Sequence, residues 1–131
     1  MIVVDTSALV AILLLEPDAR RYAAAVQAAD VVKISAITLL EAGIVMHRKQ
    51  GPGGVDDLRD LLSSASVEIV PFDGDMARIG TDAFARFGRG SGSPAKLNFG
   101  DCASYALAKS LSVPLLFKGA DFVHTDIVSA V

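Results

Sequence analysis

The sequence predicts an α/β protein, a three-layer α/β/α sandwich with a mainly parallel central sheet. Short apolar, β-branched runs alternate along the chain with longer segments of helical periodicity. This alternation is typical of parallel strands covered by helices on both faces. The chain has 131 residues, of which 52% are hydrophobic, which is enough for an ordered core. Because no repeat or linker interrupts the pattern, we expect residues 1–131 to form a single domain.

The amino-terminal half is expected to contain two strands and four helices. The strands are predicted at residues 2–4 and 31–34, and the helices at residues 8–15, 17–29, 36–49 and 55–64. The helix at 36–49 has the strongest signal, since its apolar positions recur at helical spacing and its last turn is basic. Ser35 is its expected N-cap, and Gly51 and Pro52 are expected to end it. Thr6 and Ser7 are the expected caps of the first helix.

The carboxyl-terminal half continues the same alternation. Strands are predicted at residues 67–72, 114–117 and, as an edge strand, 126–131, with helices from Asp73 to about Phe87 and from Asn98 to about Ser110. Asp73 and Asn98 are the expected N-caps of these helices. The only low-complexity stretch, Gly88 to Ser93, is expected to be a loop within the domain.

Two acidic residues are predicted at the carboxyl edge of the sheet. Asp5 directly follows the first strand, and Asp101 lies in the first turn of the helix that Asn98 caps. That helix leads into the strand at 114–117, so its start lies at the edge where the first strand ends. Open α/β sheets usually hold their ligands at this edge. Acids that are remote in the chain are therefore expected to meet there.

Two further acids are predicted near the same edge. Glu41 lies in the helix after the second strand, on the face that carries Ile37 and Ile44, and is expected to point partly toward the sheet. Asp121 follows the strand that ends at Phe117, in a turn that begins with Gly119.

A cluster of four carboxylates requires a positive partner. Each ionised pair about 5 Å apart costs roughly 3 kcal/mol at an effective dielectric constant near 20. Hard oxygen ligands without clustered His or Cys suit Mg²⁺ or Mn²⁺ better than zinc or copper. Such an ion assists phosphodiester hydrolysis, because it lowers the pKa of a bound water and stabilises the leaving oxygen. Taken singly, each acid also has an ordinary explanation as a helix cap, helix-dipole partner, surface ion pair or turn residue.

Four segments resemble the PIN domain family, specifically the VapC-type ribonuclease toxins of bacterial toxin–antitoxin pairs. In chain order they are MIVVDTSAL, ITLLEAGIV, LNFGDCASYALAK and PLLFKGADFVHTDI. The resemblance covers essentially the whole chain, and its most specific parts are NFGDC and the GxDFxxTD pattern. It implies a Mg²⁺- or Mn²⁺-dependent endoribonuclease, usually a homodimer, that a small VapB-type antitoxin inhibits.

The resemblance also assigns roles to particular residues. Its metal-binding acids map onto four positions of this sequence, Asp5, Glu41, Asp101 and Asp121. Its supporting polar positions map onto Thr6 and Asp126. Many relatives carry a second acid where this chain has Ala120, so an auxiliary metal contact from that position is absent.

Charge and composition limit the expected partners. The net charge of −3 argues against RNA binding through the overall field of the protein, so we expect local contacts from Arg89, Lys96 and Lys118. The single cysteine excludes an internal disulfide framework and a thiolate metal site. The longest apolar stretch is too short for a bilayer and lacks a preceding basic region, so a cytoplasmic protein without membrane contact is expected.

Two alternatives to a nuclease remain open at this point. The first is a phosphoacceptor receiver-type signalling domain with Asp73 as the acceptor, Asp5 as a metal ligand and Lys118 after the penultimate strand. It leaves Glu41 and Asp101 without a role, and phosphorylation of Asp73 by acetyl phosphate would favour it. The second is a catalytically silent PIN-like module that acts only by binding a partner or RNA.

Overall fold

Four short parallel strands form the centre of the structure, a computed structural model that describes residues 1–131. They are β1 (Ile2–Val4), β2 (Val32–Ser35), β3 (Glu68–Val70) and β4 (Leu115–Leu116), in the spatial order β3-β2-β1-β4. Val3 of β1 pairs with Lys33 of β2 on one side and with Leu115 of β4 on the other. Because every pairing is parallel, all four carboxyl ends lie at one edge.

Five helices cover the sheet, and a short 3₁₀ helix follows β4. They are α1 (Thr6–Leu13), α2 (Ala19–Ala28), α3 (Ala36–Ser64), α4 (Gly74–Phe87), α5 (Phe99–Leu111) and the 3₁₀ turn Phe122–His124. The two helices predicted at 36–49 and 55–64 are the two parts of α3. They are separated at Gly51, whose φ of 66° breaks the helical geometry directly before Pro52.

Alternation along the strands divides the core into two layers. Val3 and Leu115 pack with α4 and α5. Their neighbours Val4 and Leu116 pack with α1, α2 and α3. Successive strand residues face opposite sides of a sheet, so each central strand contributes to both layers. The structure confirms the predicted three-layer α/β/α class.

The first helix and the carboxyl-terminal tail differ from the sequence prediction. The helix α1 begins at Thr6, so its N-cap is Asp5 and not the two hydroxyl residues after it. The predicted edge strand at 126–131 is reduced to a single parallel bridge between Leu115 and Ser129. The side-chain oxygens of Thr125 and Ser129 accept hydrogen bonds from backbone N–H groups two residues further on, and such local bonds compete with strand pairing.

No helix combines the length and the apolar character that a membrane span requires.

Candidate active site

The carboxylate of Asp5 is buried where β1 gives way to α1. It is 3% exposed, and both of its oxygens accept hydrogen bonds. Oδ2 accepts from the backbone N–H and the hydroxyl of Ser7 at 3.0 and 2.6 Å, and Oδ1 accepts from the hydroxyl of Ser104 at 2.6 Å. These bonds compensate the burial of the carboxylate and fix its orientation at the sheet edge.

Glu41 extends from α3 toward the start of α5. The hydroxyl of Thr6 donates to Glu41 Oε1 at 2.5 Å. The carboxylate lies against the backbone of Gly100, where a Cβ atom would overlap its oxygens. A side chain at position 100 would therefore force the Glu41 carboxylate to move. Burial raises the pKa of Glu41, the hydrogen bond from Thr6 opposes the rise, and the negative charge of Asp5 adds to it.

Asp101 occupies the third position of α5 in a capping box. Its carboxylate accepts the backbone N–H of Asn98 at 3.0 Å, and the side chain of Asn98 accepts the N–H of Asp101 at 2.9 Å. Burial raises the pKa of Asp101 to about 7, although the hydrogen bond with Asn98 opposes the shift. The charges of Asp5, Asp121 and Glu41 contribute to this rise.

Three of the four predicted acids line one open cavity of about 440 Å³, namely Asp5, Glu41 and Asp101. Thr6, Ser7 and Asn98 also line it. Asp121 is exposed at the start of the 3₁₀ turn and does not line the cavity, although its charge acts on Asp101. The structure therefore brings three acids together and leaves the fourth beside them.

The donors in this cavity fit a hard divalent cation. They are carboxylate and hydroxyl oxygens, which Mg²⁺ and Mn²⁺ prefer, and no imidazole or thiol lies among them. Burial raises the pKa values of Glu41 and Asp101, and the negative charges of neighbouring carboxylates add to the rise. No three Asp, Glu, His or Cys side chains are close enough, as they stand, to form a complete metal-binding group. Side-chain movement is therefore needed for an ion to be bound by all three acids.

The predicted RNA-contacting cations are placed differently from one another. Lys118 follows β4, lines the acid cavity, and pairs with Glu16 at 2.6 Å. The hydrogen bond with Glu16 raises the pKa of Lys118. Arg89 lies within the predicted glycine-rich loop and Lys96 lies three residues after it. Both side chains are exposed and neither lines the cavity.

Asp126, a predicted supporting residue of the site, belongs to a different cluster. Its carboxylate accepts from the hydroxyl of Tyr105 at 2.6 Å and from Lys109 at 3.0 Å, and Arg86 lies 3.9 Å away. These bonds lower the pKa of Asp126 despite its partial burial. Because Tyr105 and Lys109 lie one and two turns beyond Asp101 on α5, Asp126 connects the tail to the far part of that helix.

Sequence reasoning missed three polar residues of the cavity region, Ser7, Ser104 and Glu16. Ser104 lies three residues after Asp101, on the same face of α5, and this spacing was a usable signal. Ser7 was interpreted only as a helix cap. Glu16 had no sequence signal, because the turn that brings it to the cavity follows α1.

The residue proposed as a phosphoacceptor has a structural role in this fold. Asp73 caps α4, and its Oδ1 accepts the backbone N–H of Met76 at 2.9 Å. It does not line the acid cavity. Asp73 therefore lacks the surrounding cluster of acidic side chains that the phosphoacceptor of a receiver domain would need.

Comparisons with known proteins agree with this geometry. The PIN domain family model matches residues 2–128. The ribonuclease VapC28 of Mycobacterium tuberculosis is 48% identical over 128 residues, covering 98% of this chain and 96% of the relative. Among solved structures, M. tuberculosis VapC20, a sarcin-ricin loop cleaving toxin, has a TM-score of 0.80 at 20% identity and covers 98% of this chain and 97% of its own.

A second solved structure is VapBC2 of Rickettsia felis bound to a DNA fragment from its promoter. Its TM-score is 0.76 at 17% identity, with 98% of this chain and 96% of that chain covered. At such identities the two structures establish the fold alone. The family follows from the model match and from the 48% identical relative. The chain therefore belongs to the PIN domain family, within its VapC-type branch, and the resemblance in the sequence is confirmed.

Proposed function

We propose that this protein is a Mg²⁺- or Mn²⁺-dependent endoribonuclease toxin that a VapB-type antitoxin neutralises. The observation that carries the proposal is the convergence of Asp5, Glu41 and Asp101 on one cavity whose donors are all oxygens. The name of a 48% identical relative supports the same activity, since VapC28 is a ribonuclease. RNA is then the substrate, and the cytoplasm is the expected place of action.

The three cavity acids would hold the cation, and Asp121 would add charge beside them. When bound, a divalent ion lowers the pKa of a coordinated water and stabilises negative charge on phosphate oxygens. The protein contributes orientation, because hydroxyl donors hold Asp5 and Glu41 before any ion arrives. Lys118 lines the same cavity and would contact an RNA phosphate.

Cleavage assays on purified protein freed of antitoxin test the proposal. We expect RNA cleavage with Mg²⁺ or Mn²⁺, and loss of cleavage in Asp5→Asn and Asp101→Asn. Asp73→Asn is the matched control, because Asp73 also caps a helix but lies outside the cavity. Cleavage that persists in both cavity variants would refute the assigned site. A wild-type protein that binds RNA without cleaving it would favour the silent-module alternative.

The antitoxin is expected to bind the first part of α3. Met46, on the inner face of this helix, is fully buried in the core. Leu40 and Ile44 are exposed instead, one helical turn apart, and border an open groove of about 470 Å³. An apolar strip of this kind suits an amphipathic helix. Leu40→Glu should weaken co-purification with the product of the neighbouring reading frame, and undiminished binding would place the antitoxin elsewhere.

A homodimer is also part of the proposal. Phe99 is 77% exposed and, with Phe84, lines an apolar cavity of about 490 Å³ between α4 and α5. Exposed apolar surface of this kind often marks a protein interface. Light scattering should give twice the monomer mass, and Phe99→Glu should reduce it. A monomeric wild type would contradict this part of the proposal.

A further inference from the structure

One basic side chain lines the acid cavity. Lys118 shares the cavity with four carboxylates, those of Asp5, Glu16, Glu41 and Asp101. It pairs with Glu16 at 2.6 Å, and the two side chains are 34% and 30% exposed. Lys118 thus bonds to the one cavity acid that was not predicted as a metal ligand.

Backbone contacts fix both members of this pair. The N–H of Lys118 donates to the hydroxyl of Ser7 at 3.0 Å, and that hydroxyl in turn donates to Asp5 at 2.6 Å. Glu16 follows Leu15, whose φ of 52° is rarely adopted by a residue with a side chain. The N–H of Glu16 then bonds to a carbonyl of α1 at 3.0 Å. The turn therefore places Glu16 beside Lys118 at some conformational cost.

Without Glu16, the ammonium group of Lys118 would have other partners within its cavity. Glu41 and Asp101 line the same cavity, and neither carboxylate forms a salt bridge with a lysine or arginine. A lysine side chain is long and flexible, and its ammonium group is attracted to carboxylates of this kind. An ammonium group bound there would compete with a divalent cation for the same oxygens.

We propose that Glu16 is a positioning residue, which holds the Lys118 ammonium at the edge of the cavity, off the metal-binding carboxylates and facing an RNA phosphate. The inference rests on the proposed nuclease function and assigns its substrate contact. Lys118 binds the phosphate directly, whereas Glu16 acts through Lys118.

Metal titration followed by thermal unfolding tests the effect of Glu16 on the metal site. The proteins are wild type, Glu16→Ala, Lys118→Met and the double variant, each titrated with MgCl₂ or MnCl₂. Purely Coulombic effects of the two charges add in the logarithm of the dissociation constant, whereas relocation of a side chain does not. We expect Lys118→Met to strengthen metal binding about fivefold more in the Glu16→Ala background than in wild type. Equal effects in both backgrounds would overturn the proposal.

A conservative variant separates the hydrogen bond from the charge of this pair. Glu16→Gln keeps an oxygen that can accept from Lys118. We expect its metal affinity to lie closer to wild type than that of Glu16→Ala. A glutamine variant as weak as the alanine variant would argue against a positioning role.

The salt dependence of cleavage tests the phosphate contact. Each phosphate contact to a single strand contributes a slope of about −0.7 to the logarithmic salt dependence of binding. Lys118→Met should therefore raise KM more than it lowers kcat, and reduce the salt slope by about 0.7. Lys109→Met is the matched control, since Lys109 also pairs with a carboxylate, that of Asp126 at 3.0 Å, and lies outside the cavity. An unchanged slope in Lys118→Met would refute the contact.

Different results would refute the nuclease function and the positioning role of Glu16. A wild-type protein that neither cleaves RNA nor gains stability from metal would refute the nuclease function, and the inference with it. The outcome would refute only the role of Glu16 if the wild-type protein cleaves RNA and gains stability from metal, while the effects of Glu16→Ala and Lys118→Met on the logarithm of the metal dissociation constant are additive.

Discussion

Replacing Asp101 with asparagine should stabilise the metal-free protein at neutral pH while it abolishes the response to metal. Asparagine has nearly the same shape, and its side-chain oxygen can still accept the N–H of Asn98 in the capping box. The substitution thus removes the negative charge and the metal-ligating carboxylate, and it retains the helix cap.

The magnitude of the stability change follows from the pKa of Asp101, which burial and the charges of the neighbouring carboxylates raise from 3.8 to about 7. At 1.36 kcal/mol per pKa unit this difference corresponds to about 4 kcal/mol at most. The carboxylate is only partly buried, so solvent screening reduces the figure to about 2 kcal/mol. For a domain of this size, about 3 °C per kcal/mol predicts a rise in Tm of about 6 °C.

The raised pKa of Asp101 also determines how the stability of the metal-free protein changes with pH. Since the folded-state pKa is raised, the folded protein binds more protons than the unfolded chain between about pH 4 and pH 7. Wild-type stability without metal should therefore fall as the pH rises through this interval. Asp101→Asn should show a smaller fall, because Glu41, whose pKa is also raised, still titrates.

Thermal unfolding with EDTA, and then with 10 mM MgCl₂, between pH 4.5 and 8 measures both effects. Wild type should gain stability from Mg²⁺ above about pH 7, where the carboxylate is ionised, and the variant should gain much less. A variant that is less stable than wild type at pH 7.5 in EDTA would refute the electrostatic reasoning. An equal Mg²⁺ response in both proteins would refute Asp101 as a ligand.

Three further substitutions probe the surroundings of the acids. Gly100→Ala should abolish metal-dependent stabilisation and cleavage, because the new Cβ atom would displace the Glu41 carboxylate; metal titration and RNA cleavage measure this. Ser104→Ala should lower the free energy of unfolding by about 1–3 kcal/mol in urea denaturation, since the buried Asp5 loses a hydroxyl donor. Tyr105→Phe should destabilise the fold by about 1 kcal/mol by the same measurement, through loss of its bond to the tail, and leave kcat unchanged.

Each of these three has a control or an opposing outcome. Gly43→Ala is the control for Gly100→Ala, because a Cβ atom at Gly43 meets no atom within 4 Å and should stabilise α3. If Ser104→Ala had the same free energy of unfolding as wild type, water would replace the hydroxyl at no cost. A large loss of kcat in Tyr105→Phe would return Asp126 to the active site, against its placement with Tyr105 and Lys109.

Local signals in the sequence determined the elements and their order. Alternating apolar strands and amphipathic helices predicted the sandwich, and the caps at Ser35, Asp73 and Asn98 were found where they were expected. Parallel topology then placed Asp5 and Asp101 at one edge, because the carboxyl ends of parallel strands coincide. These predictions succeeded because capping and hydrophobic periodicity act over a few residues.

Contacts between remote segments were decided by the tertiary structure alone. The pairing of Glu16 with Lys118 spans 102 residues, and the bond from Ser104 to Asp5 spans 99. Asp126 was expected beside the acids but pairs with Tyr105 and Lys109, because the path of the tail beside β4 decides what it reaches. Sequence patterns place a side chain along its own element, whereas its partners across the fold depend on how the layers pack.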